Sequence, residues 1–552
     1  MSEELNNNVT EETATAAPAA EEAPVESKAK TKFGRKLDNY FGITKEKSTF
    51  GTEIVAGIVT FLAMAYILVV NPNAILSGSS NPLFQYAGLD EVLRPSIFLA
   101  TAFGAIIGTL LMAFLAKMPL AQASGMGLNY TVGAVLGGSL GFAVSYGNVM
   151  LLVLISGILF LLLSVIKVKG VAIREIIFDG IPECVRGSIA VGIGLFIAFI
   201  GMQNAGLIVS TAFNVTLPDG STLLVDGKPV LVLGTLVDLV QFNVFGAGAY
   251  VAAGAIVCLV GLLSIAVLEH YKVKGGVIIG VIIATLVGIP LGVTEWSGQS
   301  WKFWEHFANF FSFDSSKGGI FFSAFTEGFN WTAGAKAIMP CVMTVITFCM
   351  IDMFDTMGTI VGCCVPVGLA DKKGKPFHYN GIMMSDSIAT CTGAMFGTST
   401  VTTFVESGSG IAAGGRTGLT ALTTAVLFLL SIFLFPLFAS IPGPAAASAL
   451  LYVGCLMLKG ITNIKIDGIK NAVPAFLTIA MMPLSYSITD GIGFGLLSYV
   501  LIDLVIYVVD CIKYACVKGK NPEAVKPKWD LHVVTIIVAV LFIVYFFVPT
   551  KF

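Results

Sequence analysis

Charge is scarce in this chain. Only 12% of its 552 residues are Asp, Glu, Lys or Arg, against roughly 25% in a soluble domain, and that scarcity excludes an ordinary water-soluble globule. The net charge of −2 leaves no electrostatic footprint for nucleic acid, so no nucleic-acid partner is expected. Histidine is nearly absent: His270, His306, His378 and His532 are scattered over loops and span ends. The ten cysteines lie mostly in apolar runs, without CxxC or His-linked spacing. No metal site and no cofactor is expected from such a set. The first 30 or so residues are acidic and lack an apolar core, which excludes a cleaved signal peptide.

What the chain does have is hydrophobicity: 56% of residues, in runs of about 20, the length that crosses a bilayer as helix. This is the pattern of an all-α polytopic membrane protein. Residues 1 to about 30 read as a disordered tail. The basic stretch that follows, with Lys28, Lys30, Lys32, Arg35, Lys36, Lys45 and Lys47, places the N-terminus in the cytoplasm. Fourteen spans are expected, near 52–72, 95–116, 121–138, 148–166, 183–203, 246–268, 275–291, 338–362, 380–397, 404–416, 418–436, 445–459, 470–485 and 489–511. Strict alternation then puts most remaining Lys and Arg inside, Lys117, Arg174, Lys272, Lys372, Arg416 and Lys470 among them. The long segments 204–245 and 292–337 fall outside as loops. The apolar segment 533–550 is left open between a further span and a helix lying in the interface.

Two spans look broken. Gly397 to Gly418 passes from β-branched and hydroxyl residues through Glu406 into Ser407, Gly408, Ser409 and Gly410, and ends at Gly414–Gly415 before Arg416. That pattern is an extended piece followed by a half-helix. Pro119 to Asn129 makes a similar passage through Ser124 and Gly125. Each follows a matching hexad, Gly104 to Thr109 in the second span and Gly393 to Thr398 in the ninth. Fourteen spans thus divide into two halves of seven, inverted with respect to each other, and paired interrupted spans point to a transporter binding site. Irregular backbone at membrane depth survives only where protein or a water-filled cavity covers it.

Intramembrane carboxylates mark functional sites by default. Glu406 is one; Asp352 and Asp355, three apart on one helix face, are two more. Asn129 flanks the first half-helix. The backbone at Ser124, Gly125, Ser407 and Gly408 would present N–H donors from half-helix N-termini, with Tyr66, Tyr130 and Phe404 as neighbouring aromatics. Carboxylate acceptors, N–H donors and aromatic faces suit a small planar heterocycle. The competing reading of each group is helix packing. Arg416 reads as an anchor at the cytoplasmic end.

At these residues the chain resembles the xanthine/uracil permease superfamily, in its AzgA-like adenine/guanine/hypoxanthine branch. The resemblance is carried by Thr60 to Ile67 with Asn71-Pro72, Gly125-Met-Gly127-Leu-Asn129, Asp352 to Thr359, Thr398 to Gly418, Pro474-Ala-Phe and Pro483-Leu-Ser-Tyr-Ser-Ile. It implies import of a purine nucleobase by proton symport through an elevator-like motion, in a multi-pass plasma-membrane protein that is often a homodimer, and it implies no enzymatic activity. It implies a core domain from residues 49–180 (spans 1–4) and 338–437 (spans 8–11), and a gate domain from 181–292 (spans 5–7) and 438–512 (spans 12–14). Outside these lie the disordered and basic cytoplasmic tail 1–48, the extracellular loop 293–337, and the basic segment with an extra C-terminal hydrophobic helix, 513–552. Carried over by motif, Asp352, Glu406 and Asn129 look like base ligands, and Asp355 looks like the proton-coupling carboxylate. Three positions depart from the usual pattern: Ser124 for proline, Tyr130 for alanine and Ser448 for proline. The alternatives are a uracil or xanthine permease of the same superfamily, an anion transporter of the same architecture, which three carboxylates oppose, and an intramembrane aspartyl protease. The last is disfavoured because Asp352 and Asp355 share one helix and Asp490-Gly-Ile-Gly493 has the wrong order.

Overall fold

The computed structural model describes residues 31–547, apart from 79–83, 87–88, 169–170, 215–223, 226–227, 230, 240–248, 295–302, 332–333, 335–337, 365–366, 371–375, 465, 486 and 519–530. The expected disordered tail and several of the loop lysines lie outside the described residues.

Apolar sequence folds here as helix. In chain order these are α1 (Lys32–Phe41), α2 (Phe50–Met64), α3 (Ile67–Ile75) and α4 (Asp90–Leu111). After a short strand, β1 (Gln122–Ser124), come α5 (Met126–Leu136), α6 (Tyr146–Val165), α7 (Ile173–Gly180), α8 (Glu183–Asn204), α9 (Ala249–His270) and α10 (Gly276–Gly288). The segment expected as a loop between the halves carries two short helices, α11 (Phe303–Phe310) and α12 (Ser323–Thr326). The second half runs α13 (Ile338–Cys364), α14 (Tyr379–Phe396), a strand β2 (Val401–Thr403), α15 (Ser407–Ala412), α16 (Gly418–Ser431), α17 (Phe435–Ala439), α18 (Gly443–Leu458), α19 (Ile469–Leu484), α20 (Ile488–Lys518) and α21 (Val533–Phe547). Among the described residues nine helices are long and apolar enough to cross a membrane. The chain is a helical membrane protein.

The helices pack in two groups. One is α2–α6 with α13–α16; the other is α8–α10 with α18–α20. Each half of the chain contributes to both. Lipid gives no hydrophobic drive for helices to associate, so close approach at small residues does that work. The matched hexads show where. Gly104 and Gly108 of α4 and Gly393 of α14 all press on Val401 of β2. The succession helix, strand, short helix occurs twice, as α4–β1–α5 and α14–β2–α15. The two strands pair antiparallel, Gln122 with Thr403, Ala123 with Thr402 and Ser124 with Val401.

Three features differ from the sequence reading. The basic stretch is partly folded: α1 docks through Phe41, which with Ile43 packs on Leu419 at the head of α16. The half-helix expected over 404–416 is only Ser407–Ala412, because Gly414, at φ +106°, turns the chain away. The segment between the halves is packed down: Phe103 of α4 lies 5.8 Å from Phe310 and 5.2 Å from Phe396, and the Phe322 N–H donates to Met395 O at 2.7 Å. The C-terminal α21 packs on α20 and α7.

A Cβ at Gly108 would lie 2.8 Å from Val401 Cγ1 and 3.0 Å from the Gln122 side-chain oxygen. Gly108→Ala should therefore cost about 1–3 kcal/mol by overpacking. Gly51, with nothing within 4 Å of such a Cβ, should accept Ala at no loss. Thermal unfolding of the two variants in detergent checks this, and equal midpoints would show that Val401 is not tightly held.

Candidate functional site

The site is built around the two strands. Residues Gln122 to Ser124 and Val401 to Thr403 are fully buried, so their backbone groups must find partners within the protein. The ladder supplies them and is extended at both ends. The Gly125 N–H donates to Thr400 O at 2.9 Å and the Phe404 N–H to Ala121 O at 3.0 Å, while the Ala121 N–H donates to Ser407 Oγ at 3.0 Å. Threonines from the neighbouring helices fasten each strand: Thr109 bonds the carbonyl and the N–H of Gln122, and Thr390 donates to Val401 O at 3.2 Å.

Glu406 immediately precedes α15, and its side chain makes no capping bond to that helix. Tyr66, at the break between α2 and α3, donates its hydroxyl to Glu406 Oε1 at 2.5 Å and touches Met126 Sδ at 3.4 Å. It therefore bridges the heads of both half-helices. The other carboxylate oxygen, Oε2, is buried with no hydrogen-bond partner. Asp352 and Asp355 part company although they are one turn apart. Asp352 is 1% exposed, and its Oδ2 accepts from Thr390 Oγ1 at 2.7 Å. Its Oδ1 has no partner. Asp355 is half-buried, near enough to Glu406 for the two to interact electrostatically. Two buried carboxylate oxygens thus have no partner within the described residues, and neither have the amide oxygens of Asn71 and Gln122, where buried acceptors are usually satisfied.

Several expected ligands are already occupied. The N–H groups of Gly125, Ser407 and Gly408 donate to the carbonyls of Thr400, Phe404 and Val405, so these are not the free donors the half-helix reading supposed. Ser124 gives its hydroxyl to a bond with Thr398, at 2.6 Å. The side-chain oxygen of Asn129 accepts from the Ser399 hydroxyl, which ties α5 to the approach of β2. Tyr66 and Phe404 are 1% and 4% exposed and present no open stacking face. Tyr130 turns away to accept from Asn204 Nδ2 at 2.8 Å. Arg416 is half-buried, and its guanidinium donates to Ile411 O and Gly415 O, both at 2.7 Å, closing the C-terminal end of α15.

Two carboxylates escaped the sequence reading. Asp386, wholly buried on α14, accepts from Gln122 Nε2 and from Thr356 Oγ1, each at 2.7 Å. It joins β1 to α13 behind the strands. Glu53 on α2 accepts the Arg416 and Thr417 N–H groups at 3.0 and 3.2 Å and the Thr420 hydroxyl at 2.6 Å. A lone acid in an otherwise apolar span was the available signal for both.

The family model described as "Permease family" (Xan_ur_permease) matches residues 51–237 and 230–493. The guanine/hypoxanthine permease PbuO of Bacillus subtilis is 34% identical over 513 residues, covering 92% of this chain and 100% of its own length. The adenine permease AdeP of Escherichia coli is 33% identical over 469 residues, 84% of this chain and 89% of that one. Among solved structures, the transmembrane domain of a cyanobacterium bicarbonate transporter, BicA, matches with a TM-score of 0.51 at 14% identity, over 80% of this chain and 96% of that one. At that identity the likeness is one of fold.

Asp386→Ala would take the nearer acceptor from two buried donors, leaving the Gln122 amide only the 3.4 Å contact with Thr403 Oγ1 and the Thr356 hydroxyl its bond with Thr402 Oγ1. The expected loss is about 1–3 kcal/mol for each bond to the carboxylate that is lost, read as a lowered unfolding midpoint. An unchanged midpoint would remove Asp386 from the scaffold of the site.

Proposed function

Because the chain belongs to the xanthine/uracil permease family, we propose that this permease carries purine nucleobases across the membrane it spans. The observation that carries the reading is a bare, buried oxygen on each of two carboxylates set in apolar helical segments, Glu406 Oε2 and Asp352 Oδ1. Each is an acceptor that the N–H edge of a purine can satisfy. The names of the relatives, guanine/hypoxanthine permease and adenine permease, support the same substrate class. Tyr66 fixes Glu406, Asn129 holds the first half-helix to the approach of the second strand, and Phe404 is proposed as a base-binding residue from the motif alone. Like-charge repulsion from carboxylates argues against a small anion as cargo.

The finer reading is proton symport into the cell through the plasma membrane, by fourteen spans in two inverted halves, with the N-terminus in the cytoplasm. The helix group α2–α6 with α13–α16 would be the core, residues 49–180 and 338–437. The group α8–α10 with α18–α20 would be the gate, residues 181–292 and 438–512. In an elevator motion the core, carrying the base, slides past the gate, with two copies of the chain pairing as a homodimer. Asp355 is the proposed proton carrier: it is half-buried, one helical turn from Asp352.

Uptake of labelled hypoxanthine into proteoliposomes, competed by a panel of purines and pyrimidines, tests the substrate class. Uptake of bicarbonate or sulfate without uptake of any purine would overturn it. Within that assay Glu406→Gln removes a charged acceptor, for which about 1.5–3 kcal/mol, or ten- to a hundredfold in affinity, is expected. Unaltered binding would show that Glu406 does not touch the base.

Asp355→Asn fixes the side chain in an uncharged form. Exchange of labelled base across the membrane should persist, while accumulation driven by an inward proton gradient should disappear. Accumulation at the wild-type level would move the proton to another carboxylate.

A further inference from the structure

Helix α1 takes no part in the transport site, and its three faces have different chemistry. Gly34, Asp38 and Phe41 form the inner face, three and four residues apart. Phe41 packs on Leu419, and the Asp38 carboxylate accepts the Thr44 N–H at 2.8 Å and the Thr44 hydroxyl at 2.6 Å, locking the turn that follows the helix. Lys32, Arg35 and Lys36 form a second face and are all exposed. The third edge is aromatic. Phe33 is 73% exposed, and Tyr40, seven residues on, reaches the end of the second span.

That last contact sets the depth of the helix. The Tyr40 hydroxyl donates to Phe114 O at 3.1 Å, and its ring lies 6.1 Å from that of Phe114. Phe114 and Leu115 are 45% and 43% exposed, large apolar side chains at the end of a helical segment long and apolar enough to cross a membrane. Lys117, the next cation along, sits 4.2 Å over the Tyr40 ring. The aromatic edge of α1 thus runs into exposed apolar surface at the end of a candidate span, with its cations on the same short helix. A short helix divided in this way lies in the membrane plane, and clustered Lys and Arg beside a span attract anionic headgroups.

We propose that α1 is an interfacial helix that binds the anionic phospholipid headgroups of the surrounding bilayer through Lys32, Arg35 and Lys36, with Phe33 inserted at the acyl boundary. Through Phe41 and Leu419 the bound lipid holds the head of α16, directly after the broken span that carries Glu406.

The test uses the purified full-length protein in detergent, with phosphatidylglycerol, phosphatidylcholine or glycerol 3-phosphate added, and reads lipid retention by native mass spectrometry together with the thermal midpoint. Phosphatidylglycerol should be retained and should raise the midpoint; phosphatidylcholine and glycerol 3-phosphate should do neither. The combined Lys32→Gln, Arg35→Gln and Lys36→Gln variant should lose about a hundredfold in phosphatidylglycerol affinity, and Phe33→Ser should weaken retention with all three charges in place. Retention by the triple variant equal to wild type would overturn the proposal. Stabilisation by glycerol 3-phosphate equal to that by phosphatidylglycerol would also overturn it, by revealing a soluble-anion site. Unchanged retention by Phe33→Ser would overturn the insertion.

Discussion

A membrane interior offers no water to an unpaired N–H or carbonyl, and two spans of this chain stop being helix partway through. Everything near the site answers that constraint. The three-rung ladder between β1 and β2 pairs the extended pieces with each other, the threonines of α4 and α14 fasten them from behind, and glycines in the same two helices let Val401 come close. Remove any one of these and a buried polar group or a steric clash replaces it, at a cost of the order of a kcal/mol or more.

The carboxylates divide their labour around that ladder. Glu53 and Asp386 have their oxygens filled by the chain's own donors and act as struts. Glu406 and Asp352 each keep one oxygen filled and one bare. The filled oxygen fixes the rotamer, and the bare one is then aimed without freedom to fold back. Such preorganisation reduces what binding must spend on ordering the site. It also explains why Tyr66, which looks from the sequence like a stacking platform, is more useful as a hydroxyl that immobilises Glu406.

Much of this was legible in the sequence. The helical segments followed from apolar runs, nine of them among the described residues long and apolar enough to cross a membrane, and the two breaks followed from clusters of Gly, Ser and Thr around Gly125 and Gly408, because those residues are poor at continuing a buried helix. The matched hexads marked the contact with β2. What stayed hidden was partnership. No periodicity tells that the Gly125 N–H is consumed by Thr400, that Asn129 is held by Ser399, or that Arg416 closes α15, since each bond joins segments whose approach is set by tertiary packing. Asp386 was overlooked because it stands alone, without the i, i+3 companion that made Asp352 and Asp355 conspicuous. The folded part of the basic N-terminal stretch was masked by its charge, although Leu37, Tyr40 and Phe41 carry an apolar edge.

The ladder also bears on how the protein is made. Ala121 meets its partner Ser407 across 286 residues of chain. At roughly 5–20 residues per second, the first broken span emerges some 15–60 s before the second exists. For that interval its extended segment has no partner strand, so it cannot settle in hydrocarbon as the finished protein holds it. Until α14, β2 and α15 arrive, the first half must be held where those backbone groups meet water or another protein. Topogenesis of the two halves is therefore one cooperative event, and a chain truncated between them would be an early target for membrane quality control.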